Sequence, residues 1–242
     1  EINKFHSTFI DSIQRYVHKG RIHSEINQLR SDQGGTVSGR LSYSNPNLQQ
    51  IPARNKEYGD KIRSLFLPEE GRQWGSFDYS QQEPRLVAHY AASVHDHFEG
   101  AAEFIEAYKN ESADFHQIVA DMAGITRSQA KTINLGLFYG MGKNKLGKEL
   151  GISKDRAETL LRQYGERVPF VKKLATDVSS SASKYGFIRT IKGRKCRFDM
   201  WEPATFGMNK AMQYEEAKAI YGNNIRRAFT YKALNRLIQG SA

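Results

Sequence analysis

Cysteine is almost missing from this chain of 242 residues: Cys196 stands alone. One thiol excludes an internal disulfide and any cysteine-rich zinc site. No apolar run approaches membrane-spanning length and no leader-like segment opens the chain, so the expected setting is a reducing cytoplasm. Internal repeats and low-complexity linkers are missing too. Acidic residues are in deficit, with 26 Asp and Glu against 36 Lys and Arg and a net charge of +10. Such an excess favours a polyanionic partner, nucleic acid first, although a merely basic soluble protein accounts for the charge equally well. What is present is ordinary for a globular protein: 39% hydrophobic and 26% charged residues, in a length that holds one large domain or two small ones with a real core.

Hydrophobic periodicity places Ile2, Phe5, Phe9, Ile13, Tyr16 and Val17 on one face of a helix over residues 2–17. "RIHSEINQLR" alternates like a strand. "GGTVSGRLSYSNPNLQQIPARN" reads as loop with short extended pieces, and "QWGSFDYS" as a strand ending in a turn. From 81 to about 184 the pattern is mainly helical. "FIRTIKGRKCRF" predicts a hairpin turning at Lys192-Gly193-Arg194, and 209–240 predicts one long helix or two abutting ones. Strands flanking a helical block imply an α+β class.

The stretch "RSQAKTINLGLFYGMG" carries the first chemistry. Thr126 and Gln129 fit a capping box, with Ile125 as its staple, so a helix starts at Thr126. Steps of four residues drift slowly around a helix. Arg127, Lys131, Leu135 and Tyr139 therefore form one stripe, cationic at the end where free N–H groups and the dipole favour anions. The far half is apolar and aromatic, and Gly136, Gly140 and Gly142 leave room for close approach. A nucleoside triphosphate fits such a stripe; so does an amphipathic helix with two snorkelling cations. In "SFDYSQQEPRLVAHYAA", Asp78 and the neighbouring Tyr79 carbonyl are oxygen ligands suited to Mg²⁺. Taken alone, an ordinary turn with Asp78 capping the next helix is the simpler reading.

Together these stretches resemble the polymerase domain of family A DNA polymerases, the DNA polymerase I type, and most closely bacteriophage members. "DYSQQEPR" is similar to the family's first acidic motif, "RSQAKTINLGLFYG" to its fingers helix, "TVSGRLSYSNPNLQQIP" to the palm segment ahead of that acidic motif, and "ALNRLIQGSA" to its late palm helix. The resemblance implies a right-hand architecture: a partial palm with an antiparallel sheet and a helical fingers subdomain. Residues 1–20 would end the thumb and start the palm, and 21–88 would form the first part of the palm. Residues 89–200 would be the fingers, and 201–242 a palm helix ahead of a second acidic motif.

The same resemblance implies the roles. Asp78, with the Tyr79 carbonyl, would coordinate two Mg²⁺ ions. Arg127 and Lys131 would hold the triphosphate of a deoxynucleotide, and Lys131 would protonate the leaving pyrophosphate. His116 would add a phosphate contact, a polar helix residue being the plain alternative. Ser80, Gln81 and Gln82 would line the nucleotide site, and Glu83 would exclude a ribose 2′-hydroxyl. Leu135 would lie against the nucleotide, and Tyr139, with Gly140, would cap the template-base site. Arg40, Asn47, Gln50 and Arg54 would contact primer-template DNA, and Asn235 and Gln239 the minor groove.

Arg189, Lys192, Arg194, Lys195 and Arg197 crowd the hairpin, as template contacts or as a solvated turn. His95 and His97 lack a third ligand and read as polar loop. No second acidic motif occurs before Ala242, and Leu135 replaces the commoner Phe or Tyr. The expectation is a fragment or one part of a split polymerase, inactive alone and completed by a polypeptide carrying the second motif, in a host cytoplasm if phage-encoded. A non-catalytic DNA-binding fragment is the alternative, and a single-subunit RNA polymerase is disfavoured by Glu83.

Overall fold

A computed structural model of the chain describes residues 6–29, 34–52, 57–93, 101–109, 114–138, 141–167, 169–205, 207 and 210–242. Arg54, Tyr139, Gly140, His95 and His97 lie outside them. The chain divides into two compact units, Glu1–Asp78 and Tyr79–Ala242.

The first unit is built from short pieces. A wide-turned helical segment, His6–Asp11 followed by Ser12–Gln14, leads into the ribbon β1 (Val17–His18) and β2 (Arg21–Ile22). β3 (Glu25–Asn27) pairs antiparallel with β4 (Ser42–Ser44), and the helix α1 (Gly59–Arg63) follows. Polar contacts pin these pieces together. Glu25 accepts from Asn45 Nδ2 at 2.9 Å, and Ser24 Oγ donates to the Pro46 carbonyl at 2.8 Å.

Three expectations are corrected here. The helix expected over 2–17 stops at Gln14, because Val17 enters β1 instead. The strand expected in "RIHSEINQLR" is two strands separated by His23 and Ser24, and Ser24 is spent on its bond to Pro46. The strand expected in "QWGSFDYS" is irregular backbone: no described strand pairs with it, and Phe77 is 96% exposed. Alternation marks a strand only where a partner takes up its backbone N–H and C=O groups.

The second unit is helical around one core. Its helices are α2 (Gln82–Ser93), α3 (Ala101–Lys109), α4 (Phe115–Ala123), α5 (Arg127–Phe138), α6 (Lys143–Leu150), α7 (Lys154–Arg167) and α8 (Pro169–Tyr185). Val87 of α2, Phe115 and Val119 of α4, Ile133 of α5, Leu146 of α6, Tyr164 of α7 and Phe170 and Val171 of α8 meet with at most 1% exposure. Burying each large apolar side chain stabilises by about 1.5–3 kcal/mol before entropy is charged.

Two ribbons follow: β5 (Phe187–Arg189) with β6 (Lys195–Arg197), and β7 (Trp201–Pro203) with β8 (Ile225–Arg227). The first is the expected hairpin, its five-residue turn closed by Thr190 N–H on the Arg194 carbonyl at 2.9 Å. Gly186 opens it at φ +75°, where an added Cβ would sit 2.6 Å from the Arg227 guanidinium.

The one long helix or two abutting ones expected over 209–240 are two helices that do not abut, α9 (Tyr214–Tyr221) and α10 (Ala233–Ser241), held apart by β8. Helical spacing continues through this stretch, but pairing with β7 captures Ile225–Arg227 as a strand. α10 packs Leu234 and Ile238 on the main core and Ala233 and Leu237 on a second cluster with Ile188, Cys196 and Phe198. The antiparallel, mixed α and β character holds, as separate two-stranded ribbons among the described residues rather than one sheet.

Candidate nucleotide and nucleic-acid site

The α4–α5 corner is set by local chemistry. Asp114 caps α4, its Oδ1 accepting from His116 N–H at 2.9 Å and Gln117 N–H at 3.1 Å. Gly124, at φ +63°, ends α4 in the left-handed region, and Ile125 N–H bonds back to the Ala120 carbonyl at 3.0 Å. The expected capping box then opens α5. Gln129 N–H donates to Thr126 Oγ1 at 3.2 Å, and Thr126 N–H donates to Gln129 Oε1 at 3.1 Å. This reciprocal pair satisfies two of the donors that a helix start leaves orphaned.

Arg127 is the first residue of α5. Its Nη2 and Nε donate to Asp114 Oδ2 at 2.6 and 3.0 Å. Asp114 thus holds the guanidinium with one oxygen and caps α4 with the other. Among the described residues this pair uses two of the five guanidinium N–H donors, a planar fork suited to anions. Burial pushes the Asp114 carboxyl up, but hydrogen bonds from Arg127 and the backbone outweigh it and hold it below its ordinary value.

Lys131 is exposed one turn along, and Leu135 occupies the α5 position one turn beyond that. The stripe therefore exists on α5 as far as Leu135. Gly136 does not serve close approach of a ligand: an added Cβ would meet Met141 Sδ at 3.0 Å, so its space holds the chain's own side chain. At Gly142 the space is open.

His116, in the first turn of α4, is half-buried. Its Nδ1 lies 3.1 Å from Nδ2 of Asn134, which is fully buried on α5. The Oδ1 of Asn134 accepts from the hydroxyl of Tyr164 on α7, itself 1% exposed. Burial lowers the His116 pKa, Arg127 and Lys131 lower it further, and Asp114 opposes them.

Gln81 is also tied to this corner. Its Oε1 accepts from Phe115 N–H at 2.8 Å, from a backbone at φ +53°. Gln82 and Glu83 open α2, so Asp78 does not stand at that helix's cap. Asp78, Tyr79 and Ser80 are exposed, with Tyr79, Ser80, Gln82 and Arg85 among the residues lining a cavity of about 460 Å³.

The remaining site residues are spread along the chain. In the first unit Asn47 caps a short 3₁₀ turn, Leu48–Gln50, by accepting from Gln49 N–H at 3.1 Å. Arg40 and Gln50 are exposed. In the second unit Asn235 and Gln239 are partly exposed one turn apart on α10. Arg236 between them stacks 4.5 Å from Phe198 and donates to the Arg197 carbonyl, fixing the helix on the hairpin. Arg189 and Lys195 sit 5.6 and 4.6 Å from the Phe187 ring, so part of the hairpin's charge is spent on the fold.

Sequence reasoning brought Arg127, Lys131 and His116 into the picture but missed Asp114, Asn134 and Tyr164. Asp114 was legible as an N-cap two residues before His116. Asn134 stands out only as a polar residue in an apolar half-helix, and Tyr164 carries no signal in the sequence.

Comparison with known proteins gives this geometry a family. The model for DNA polymerase family A matches residues 1–242. A DNA-directed DNA polymerase of Pseudomonas phage M6 is 36% identical across all of this chain, which spans 40% of that protein. The thermostable DNA polymerase I of Thermus filiformis is 32% identical, again across the whole chain, which spans 26% of it. Among solved structures, the POL domain of Pol1 from M. smegmatis, in complex with DNA primer-template and dNTP, superposes with a TM-score of 0.69 at 31% identity. That match takes in 96% of this chain and 37% of the other. With one family model answering to every residue and polymerases related across its full length, the chain belongs to family A of the DNA polymerases.

Proposed function

We propose that the chain is the nucleotide- and template-handling part of a template-directed DNA polymerase that transfers a deoxynucleotidyl group to a primer 3′-hydroxyl in DNA replication. The observation that carries this reading is the α4–α5 corner, where Arg127, Lys131 and His116 converge at a helix start in a chain of this family. On this reading 21–88 and 201–242 belong to the palm, 89–200 to the fingers, and 1–20 to the end of the thumb and the start of the palm.

Arg127, oriented by Asp114, and Lys131 bind the triphosphate, and Lys131 delivers the proton to the departing pyrophosphate. Leu135 faces the sugar and Glu83 leaves no space for a 2′-hydroxyl. Tyr139 and Gly140 cover the template base. Arg40, Asn47, Gln50 and Arg54 hold the primer-template, and Asn235 and Gln239 read the minor groove of the new pair. Phosphoryl transfer rests mainly on such positioning and charge.

Asp78 and the adjacent Tyr79 carbonyl are hard oxygen donors. Among the described residues no three His, Cys, Asp or Glu side chains gather into a cage. That set suits Mg²⁺, which binds through one or two carboxylates together with substrate phosphates. Bound there, magnesium would supply Lewis-acid stabilisation of phosphate charge and a more acidic primer hydroxyl.

The test is primer extension by a chimera in which this chain replaces the matching 40% of the phage M6 polymerase. The parent chimera should extend primers. Asp78→Asn should abolish Mg²⁺-dependent extension and keep salt-sensitive primer-template binding. Undiminished extension by Asp78→Asn would remove Asp78 from the metal site.

A further inference from the structure

We propose that Asn134 and Tyr164 are positioning residues that lock His116 in one neutral tautomer, with the proton on Nε2, so that it meets the nucleotide's phosphates as an uncharged hydrogen-bond donor. The proposal rests on the reading of His116 as a phosphate contact.

The chain of hydrogen bonds runs from α7 through α5 to α4. Tyr164 is buried, and its hydroxyl donates to Asn134 Oδ1. That bond orients the amide, so Nδ2 faces His116 Nδ1 at 3.1 Å. An amide nitrogen only donates. Nδ1 must then accept, and the ring proton of neutral imidazole resides on Nε2. Protonating Nδ1 would set two donors against each other beside a fully buried side chain, which costs the desolvation of both.

The charges around His116 favour the same state. Arg127 and Lys131 from α5 both act against an imidazolium, and Asp114 ahead of α4 acts for it but is bound by the Arg127 guanidinium. Tyr164 is the titratable group facing from α7, and burial raises its pKa, so its hydroxyl stays protonated as a donor. A third cation at this corner would repel the other two. A neutral donor adds a directed bond to phosphate without that repulsion, and its donor capacity does not vary near neutral pH.

The experiment is nitrogen-15 NMR of the chain labelled at histidine, with His116 assigned through His116→Gln. The neutral wild-type ring should show the proton on Nε2 alone. Tyr164→Phe removes only the hydroxyl and should convert this single form into a mixture with the Nδ1 tautomer. Asn134→Asp, which offers only acceptor oxygens to Nδ1, should move the proton there and raise the His116 pKa above the wild-type value.

An Nδ1-protonated wild type would overturn the proposal, because the amide would then be turned the other way. So would a tautomer unchanged in both variants. A second arm adds Mg²⁺ and dATP. A shift of the Nε2 signal supports the phosphate contact. With no shift, the contact and the proposal's functional half both fail, whatever the tautomer.

Discussion

The two units hold their residues by different means. In Tyr79–Ala242 one apolar cluster draws residues from eight of the described helices, and a second joins the hairpin to α10. In Glu1–Asp78 the large apolar side chains buried among the described residues are Ile13 and Ile62. Leu29, Leu65, Leu67, Trp74 and Phe77 are between 66% and 96% exposed there. Short ribbons and side-chain-to-backbone bonds hold the first unit, and close-packed apolar volume holds the second. A packed core sets side-chain positions more narrowly than exposed hydrogen bonds do. The buried bond from Tyr164 to Asn134 is therefore the kind of positioning that, among the described residues, the second unit supplies.

The chain's two tryptophans, Trp74 and Trp201, fall one in each unit and report on each separately. The largest effect is expected from Phe170→Ala, which empties a fully buried site in the main core. It should cost about 3–5 kcal/mol in the denaturant midpoint read at Trp201 and leave the Trp74 transition in place. Equal losses at both reporters would show that the units unfold as one.

Next comes Lys131→Ala in the phage M6 chimera. If Lys131 contacts the phosphates as proposed, removing this exposed cation should lower the extension rate about 10²–10³-fold, or roughly 2.7–4 kcal/mol. The Trp201 midpoint and the DNA affinity should stay unchanged. A parallel loss of DNA binding would make Lys131 a general phosphate contact.

Acid should separate the units further, by a smaller amount. His116 has a folded pKa below its ordinary 6.5, so below that value the unfolded chain takes up the proton first. Stability of the second unit should fall as pH drops from 6.5 toward the folded pKa. Asp114 adds stability that is present above its ordinary 3.8 and lost as pH falls through its lower folded value. Thermal melts at Trp201 should show the first loss, and His116→Gln should abolish it. A melt that is flat across this range would place His116 in open solvent.

The smallest effect is expected at Trp74→Phe, read by circular dichroism. Trp74 is 72% exposed, so its loss should shift stability by at most about 0.5 kcal/mol. A cost above about 2 kcal/mol would reveal a core in the first unit.

The helical block, the Lys192–Arg194 turn and the α5 capping box were legible because each rests on contacts a few residues apart. The stripe of Arg127, Lys131 and Leu135 was legible for the same reason. The strand in "QWGSFDYS" and the unbroken helical run over 209–240, as one helix or two abutting ones, were misread because pairing, not periodicity, decides whether an extended or helical stretch persists. Ile225–Arg227 became β8 only because β7 was there to receive it.

Sequence by itself therefore determined the family, the cationic helix start and its local caps. These depend on residue types at fixed short spacings, which the helix repeat turns directly into geometry. Tertiary structure alone decided that Arg127 leans on Asp114, that Gly136 makes room for Met141, and that Tyr164 reaches Asn134 across thirty residues. Such contacts depend on which helices the core packs side by side, and no spacing along one chain segment encodes the distance between two others.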